Sequence, residues 1–134
     1  MADAAEVPKV SDCLFCKIVA GEIPADVVRR DERTVAFRDV NPQAPTHVLV
    51  VPVEHQPNVA ASAAADPAVV ADLIGAANEV AAAEGLVSSA APGTTADADP
   101  GYRLVVNTGA GAGQSVFHTH VHLVGGRPLA WPPG

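Results

Sequence analysis

Three histidines alternate near the C-terminal end of the chain, at His118, His120 and His122, and they are three of only five in the whole sequence. Their neighbours Val116, Phe117, Val121, Leu123 and Val124 are apolar, and several are β-branched. This alternation predicts a β-strand over about 116–124. On a strand, positions i, i+2 and i+4 share one face, so the imidazoles would form a row about 6.6 Å apart. Imidazole titrates near neutral pH, ligates metals, and acts as a nucleophile or proton carrier. The plain alternative is a half-exposed polar strand face, against which the concentration of histidines in one stretch speaks.

Two further groups can do chemistry. The stretch Asn107 to Ser115 carries glycines at 109, 111 and 113. Such a loop can turn tightly and present open backbone N–H groups to an anion. A glycine-rich loop alone is weak evidence, but this one leads through Gln114 and Ser115 into the histidine row. A phosphate held by it would lie against the imidazoles. The second group is Cys13-x-x-Cys16. A redox pair would usually follow a strand in a βαβ unit, which is missing here. A disulfide fits poorly with a chain that shows no export signal. Zinc needs two more nitrogen or sulfur ligands, and two cysteines packed on a helix without metal is the remaining reading.

The segment Gly113-Gln114-Ser115-Val116-Phe117-His118-Thr119-His120-Val121-His122-Leu123 resembles the signature of the histidine triad (HIT) nucleotide-binding proteins. Asp12 to Ile18 with Gly21-Glu22-Ile23-Pro24, Phe37 to His47 with Val48 to Pro52, and the ending Gly125 to Gly134 are similar to that family's other landmarks, the ending to its Hint branch. The resemblance covers most of residues 12–134. It implies an α+β HIT-like fold, with about five antiparallel strands and two helices, the sheet extended across a homodimer. It implies a purine nucleoside phosphoramidase, cleaving a nucleoside phosphoramidate or mixed anhydride through a covalent nucleotidyl-histidine. His120 would be the nucleophile, His122 a donor to phosphate, Ser115 a partner of the leaving group, and His47 a proton-transfer aid. Asn107, Gly113 and Gln114 would hold phosphate. Asp39 would bind the ribose, Leu14, Phe15, Ile18, Phe37 and Val40 would line a base slot, and Trp131 would reach toward the partner's site. Bacterial relatives of the zinc type imply a structural zinc on Cys13, Cys16, His55 and His118.

Other function classes compete. A dinucleoside polyphosphate hydrolase of the Fhit type is opposed by the Trp131-Pro132-Pro133-Gly134 ending. The nucleotidyltransferase branch has glutamine for the third histidine, where this chain has His122. A non-catalytic nucleotide-binding regulatory module is weighed against by Ser115 and His120.

The elements that must position these groups can be read from pattern. The chain has 134 residues, 49% hydrophobic and 17% charged, which suits one globular domain over 11–134 after an acidic tail at 1–10. A net charge of −7 disfavours nucleic acid as a partner, because phosphate backbones need a basic surface. No apolar run is long enough to span a bilayer, and a cytoplasmic location is expected. Ser11 or Asp12 can cap a helix over about 13–20 that ends at Gly21. Strands are expected at about 26–30, 34–39, 46–52 and 102–107. Asp66-Pro67 starts a helix that runs to about Glu84, with Gly85 closing it. Residues 87–101 read as an extended surface loop.

Overall fold

The computed structural model describes residues 12–87 and 100–134. The tail at 1–10, the cap candidate Ser11 and nearly all of the loop at 87–101 lie outside the described residues. Five strands form one antiparallel sheet: β1 (Val27–Arg30), β2 (Thr34–Arg38), β3 (Thr46–Pro52), β4 (Tyr102–Val105) and β5 (Val121–Gly125). Their spatial order is β1-β2-β3-β5-β4. Three helices are described: α1 (Leu14–Val19), α2 (Val59–Ala65) and α3 (Pro67–Ala83). The expected α+β class and five strands are found, with one helix more than the pattern suggested. The segment forming α2 is alanine-rich and carries no apolar stripe, so nothing periodic marks it. Its start is a side-chain cap, in which Asn58 Oδ1 accepts from Ala61 N–H at 2.9 Å.

The long helix α3 begins and ends as its residues dictate. Asp66 caps it by accepting from Ala68 N–H, and Pro67 stands in the first turn, where a missing N–H costs nothing. At the other end Gly85 takes φ +78°. Leu86 N–H then reaches Ala81 O at 2.9 Å, and Gly85 N–H reaches Ala82 O at 3.1 Å. This is the paired closure that a left-handed glycine permits. Leu86 is carried back into the core.

Strand β3 is buried along its whole length, so both faces of the sheet are covered. Alternation sends Val48 and Val50, with Ala36, Val121 and Leu123, against Leu73, Ala77, Val80 and Ala81 of α3. The opposite face gathers Val35, Phe37, Leu49 and Val51 against Cys13 and Phe15, with Cys16, Ile18 and Val116 at its margin. That second face carries the chemistry. His47 lies on β3 in step with Leu49, and Leu49 is paired with His122 of β5. His47 and His122 are therefore diagonal neighbours on one face, within side-chain reach.

Two sequence expectations are corrected here. The strand foreseen over 116–124 is regular only from Val121 to Gly125. His118 and His120 precede it, so their positions are not set by ladder hydrogen bonds. The first helix is capped by Cys13, whose Sγ accepts from Cys16 N–H at 3.3 Å, and not by Asp12.

Candidate active site and metal centre

The first cluster is built from two ends of the chain. The Cys13 cap places both sulfurs at the start of α1, because a residue and its third successor lie on one side of a helical turn. Cys13 Sγ is 3.4 Å from His118 Nδ1, and Cys16 Sγ is 3.4 Å from the same atom. His55 Nδ1 lies 3.3 Å from Cys16 Sγ and 3.1 Å from His118 Nδ1. All four donor atoms fall within 4.8 Å of one another. A zinc tetrahedron with bonds of about 2.0–2.1 Å to nitrogen and 2.3 Å to sulfur has ligand edges only slightly longer than these contacts. His118 Nε2 donates to Pro52 O at 2.9 Å. That bond fixes the ring and leaves the Nδ1 lone pair facing the sulfurs, the outer-sphere arrangement that metal-ligating histidines use. Burial pushes the Cys16 thiol up to about 12, with Cys13 beside it adding to the effect, and pushes His118 down to about 4. A divalent cation here would supply the charge that a buried thiolate lacks. The donor set and its geometry fit zinc.

The second cluster lies further along the same row. His120 Nδ1–H donates to His118 O at 2.7 Å, which leaves Nε2 with a free lone pair. Phe15 meets the His120 ring edge-on, with centroids 5.1 Å apart. His122 follows, with its centroid 5.0 Å from that of His120. Gln43 N–H donates to His47 Nδ1 at 3.0 Å, so neutral His47 carries its proton on Nε2. That proton faces His122 Nδ1, 2.9 Å from His47 Nε2, and Asp39 Oδ2 stands 3.4 Å from His47 Nε2. His122 accepts on Nδ1 and therefore carries its own proton on Nε2. Burial lowers the basicity of His120, and it lowers His122 to about 4, with His120 and His47 contributing. Both are thus neutral at pH 7, the form a nucleophile or a hydrogen-bond donor toward phosphate requires.

A cleft of about 350 Å³ opens over these rings. Leu14, Phe15, Ile18, Phe37 and Val40, the expected base slot, all line it, together with Asp39, Ser115, His120 and His122. Ile23, Pro24, Ala25, Leu49 and Val116 complete the apolar wall. These were not singled out in the sequence. Leu49 could have been, since it stands two residues from His47 on a strand.

Four expected ligand contacts stand elsewhere. Asn107 and Gly113 do not line the cleft but stand near one another, since a Cβ added to Gly113 would come 3.9 Å from Asn107 Nδ2. Gln114 is buried, and its side chain is fully engaged: Nε2 donates to Pro57 O at 2.7 Å and to Val116 O at 3.1 Å, and Oε1 accepts from Gly109 N–H at 2.9 Å. Its N–H bonds Gly109 O as well. The Gln114 side chain therefore braces the loop and is not free for a ligand. Trp131 is 81% exposed and does not line the cleft of its own chain.

Comparison with known proteins agrees with this geometry. A family model described as the HIT domain matches residues 20–129. A HIT-like protein of Synechococcus elongatus is 46% identical over 123 residues, covering 92% of this chain and 97% of that one. A 14 kDa zinc-binding protein of Zea mays is 42% identical over 126 residues, covering 92% and 89%. Among solved structures, a HIT family hydrolase from Legionella pneumophila superposes with TM-score 0.79 at 46% identity, covering 91% of this chain and 99% of that one. A zinc-bound histidine triad family protein from Mycobacterium smegmatis superposes with TM-score 0.70 at 31% identity, covering 89% and 78%. With a matching domain model over most of its length and relatives of this closeness, the chain belongs to the histidine triad family.

Proposed function

We propose that this protein is a nucleotide-binding hydrolase that cleaves purine nucleoside phosphoramidates and releases the nucleoside monophosphate. The observation that carries the reading is the His120 ring. Its Nδ1 is tied to His118 O, and its ring lines the cleft beside Ser115 and His122. The apolar walls suit a purine face. Asp39 offers carboxylate oxygens to ribose hydroxyls.

In this mechanism His120 Nε2 attacks the α-phosphorus, and the bond from phosphorus to the leaving nitrogen breaks. The proton on His122 Nε2 meets a non-bridging oxygen and opposes the growing charge. Ser115 hydrogen-bonds the leaving nitrogen and passes it its hydroxyl proton as the bond breaks, and the water of the second step returns a proton to Ser115. Water then attacks the nucleotidyl-His120 and restores the free imidazole, so that one hard displacement becomes two easier ones. His47 holds the tautomer of His122 throughout. Asn107 and the backbone near Gly113 provide further donors to phosphate.

Cys13, Cys16, His55 and His118 would hold zinc in a structural role. When bound, the ion would neutralise the two thiolates and tie α1 to the segment that carries His120. The relatives described as zinc-binding and zinc-bound support this part of the reading. A homodimer is proposed as well, with the exposed Trp131 tail reaching the partner's cleft. Turnover of an adenosine phosphoramidate, measured beside a diadenosine polyphosphate, tests the substrate class. Preference for the phosphorus–nitrogen bond supports it, and preference for the polyphosphate overturns it.

A further inference from the structure

Among the residues described for helix α2, one side chain is buried, and it is polar. Ser62 stands among Ala60, Ala61, Ala63, Ala64 and Ala65, and it is 2% exposed. A buried hydroxyl costs free energy unless it is hydrogen-bonded. Ser62 Oγ lies 2.6 Å from Thr119 Oγ1, and Thr119 Oγ1 donates to Gln56 O at 3.3 Å. Either hydroxyl can donate in the short bond between them, and Thr119 Oγ1 links the pair to the Gln56 carbonyl. Thr119 itself is 1% exposed.

The same carbonyl also accepts from Thr119 N–H at 2.9 Å. That N–H belongs to the peptide unit whose carbonyl is His118 O. The peptide is planar, so the N–H and C=O of one unit cannot turn independently. On one side the unit is fastened to Gln56 O. On the other its oxygen receives the His120 Nδ1 proton at 2.7 Å. Residues 115–120 form no strand, so no ladder holds this peptide in place. We infer that Ser62, Thr119 and the Gln56 carbonyl are positioning groups that aim the His118 carbonyl and so fix the tautomer and orientation of His120. Neither hydroxyl touches substrate. They act through the 118–119 peptide, and the catalytic consequence rests on the proposed role of His120.

The test uses the full chain with Ser62→Ala, Thr119→Val, the pair together, and Thr119→Ser. The valine keeps the β-branched shape and removes the hydroxyl. The double variant leaves no buried hydroxyl without a partner, so it folds even if a single variant is weakened. The first readout is the imidazole nitrogen spectrum of His120 in ligand-free protein. The wild type should show one tautomer, protonated on Nδ1. Both single variants and the double should show averaging of the two nitrogens, and Thr119→Ser should restore the wild-type pattern. The second readout is adenosine phosphoramidate turnover. kcat should fall about tenfold in either single variant, with KM within about twofold. The double should be no worse than Thr119→Val, as expected for groups in one chain. A single fixed tautomer retained in the double variant would overturn the inference, whatever the turnover. If the wild type does not hydrolyse the phosphoramidate, the substrate reading fails while the nitrogen spectrum still decides the positioning. If the spectrum averages and kcat is unchanged, the hydroxyls orient His120 but the claimed effect on catalysis is wrong.

Discussion

The four-donor cluster and the cleft each take histidine from one short segment, and they differ in what is left open. At the cluster four donor atoms lie within 4.8 Å of one another, and His118 turns its bare Nδ1 inward. At the cleft His120 uses the opposite nitrogen for its backbone bond and lines a cavity of about 350 Å³. One residue type thus gives a closed donor cluster and, in the proposed mechanism, an open nucleophile. The choice is made by which ring nitrogen a carbonyl takes: Pro52 O takes Nε2 of His118, and His118 O takes Nδ1 of His120. The two regions share His118, whose ring belongs to one and whose carbonyl belongs to the other.

That contrast can be broken most sharply at the nucleophile. His120→Ala should lower phosphoramidate turnover by several powers of ten, while nucleoside monophosphate binding stays within about 1.4 kcal/mol, a factor of ten. Steady-state rates and calorimetric titration read the two halves. Comparable losses in both would mean that His120 is a binding group and not the nucleophile.

The next effect is on stability. Cys13→Ser with Cys16→Ser should release about one equivalent of zinc per chain and lower the melting temperature, because metal binding and folding are linked. Turnover should fall too, through the shared His118. Elemental analysis and thermal unfolding check this. Protein purified without metal, yet as stable as the variant-free chain, would remove zinc from the account. His47→Ala is expected to be milder, about ten- to a hundredfold in kcat, since it frees the tautomer of His122 without removing a reacting group.

The pH dependence has a definite sign. His122 is held near 4 in the folded chain, against about 6.5 when unfolded. The unfolded state therefore binds more protons between those values. The contribution of His122 to stability is complete above about pH 6.5 and is lost as pH falls toward 4. Denaturant unfolding across this range should show stability rising with pH and then levelling. The acid limb of kcat/KM should lie well below pH 6.5, falling as pH approaches about 4, where folded His122 takes up a proton, since burial holds His120 below its ordinary value as well. A limb well above pH 6.5 would mean that the rings are charged at neutral pH. The smallest effect is expected at the tail: deleting 129–134 should change leaving-group preference more than melting temperature, as Trp131 is exposed in the single chain.

Much of this arrangement was legible in residue types alone. The turn signals at Asp66-Pro67 and Gly85 bounded α3, because proline and left-handed glycine act locally. Spacing gathered the three histidines, whereas the five apolar residues that meet in one cleft were marked only by the family resemblance. Helix α2 was not legible, since a run of alanine has helical propensity but no face. The engagement of Gln114 was not legible either, because its partners are carbonyls brought from Pro57 by the fold. Strand regularity failed at His118 and His120 for a related reason: the peptide between His118 and Thr119 is fastened to Gln56 O instead of a neighbouring strand. The tautomer of His47 depends on a single N–H from Gln43, which no side-chain pattern reports.

The central claim is that His120 carries the nucleotide during turnover. Rapid-quench mass spectrometry of the wild type on an adenosine phosphoramidate tests it most directly. The account predicts a nucleotidyl adduct on the peptide containing His120, mapped by fragmentation to that ring and absent in His120→Ala. An adduct on His122, or turnover with water alone and no adduct in the burst phase, would contradict it.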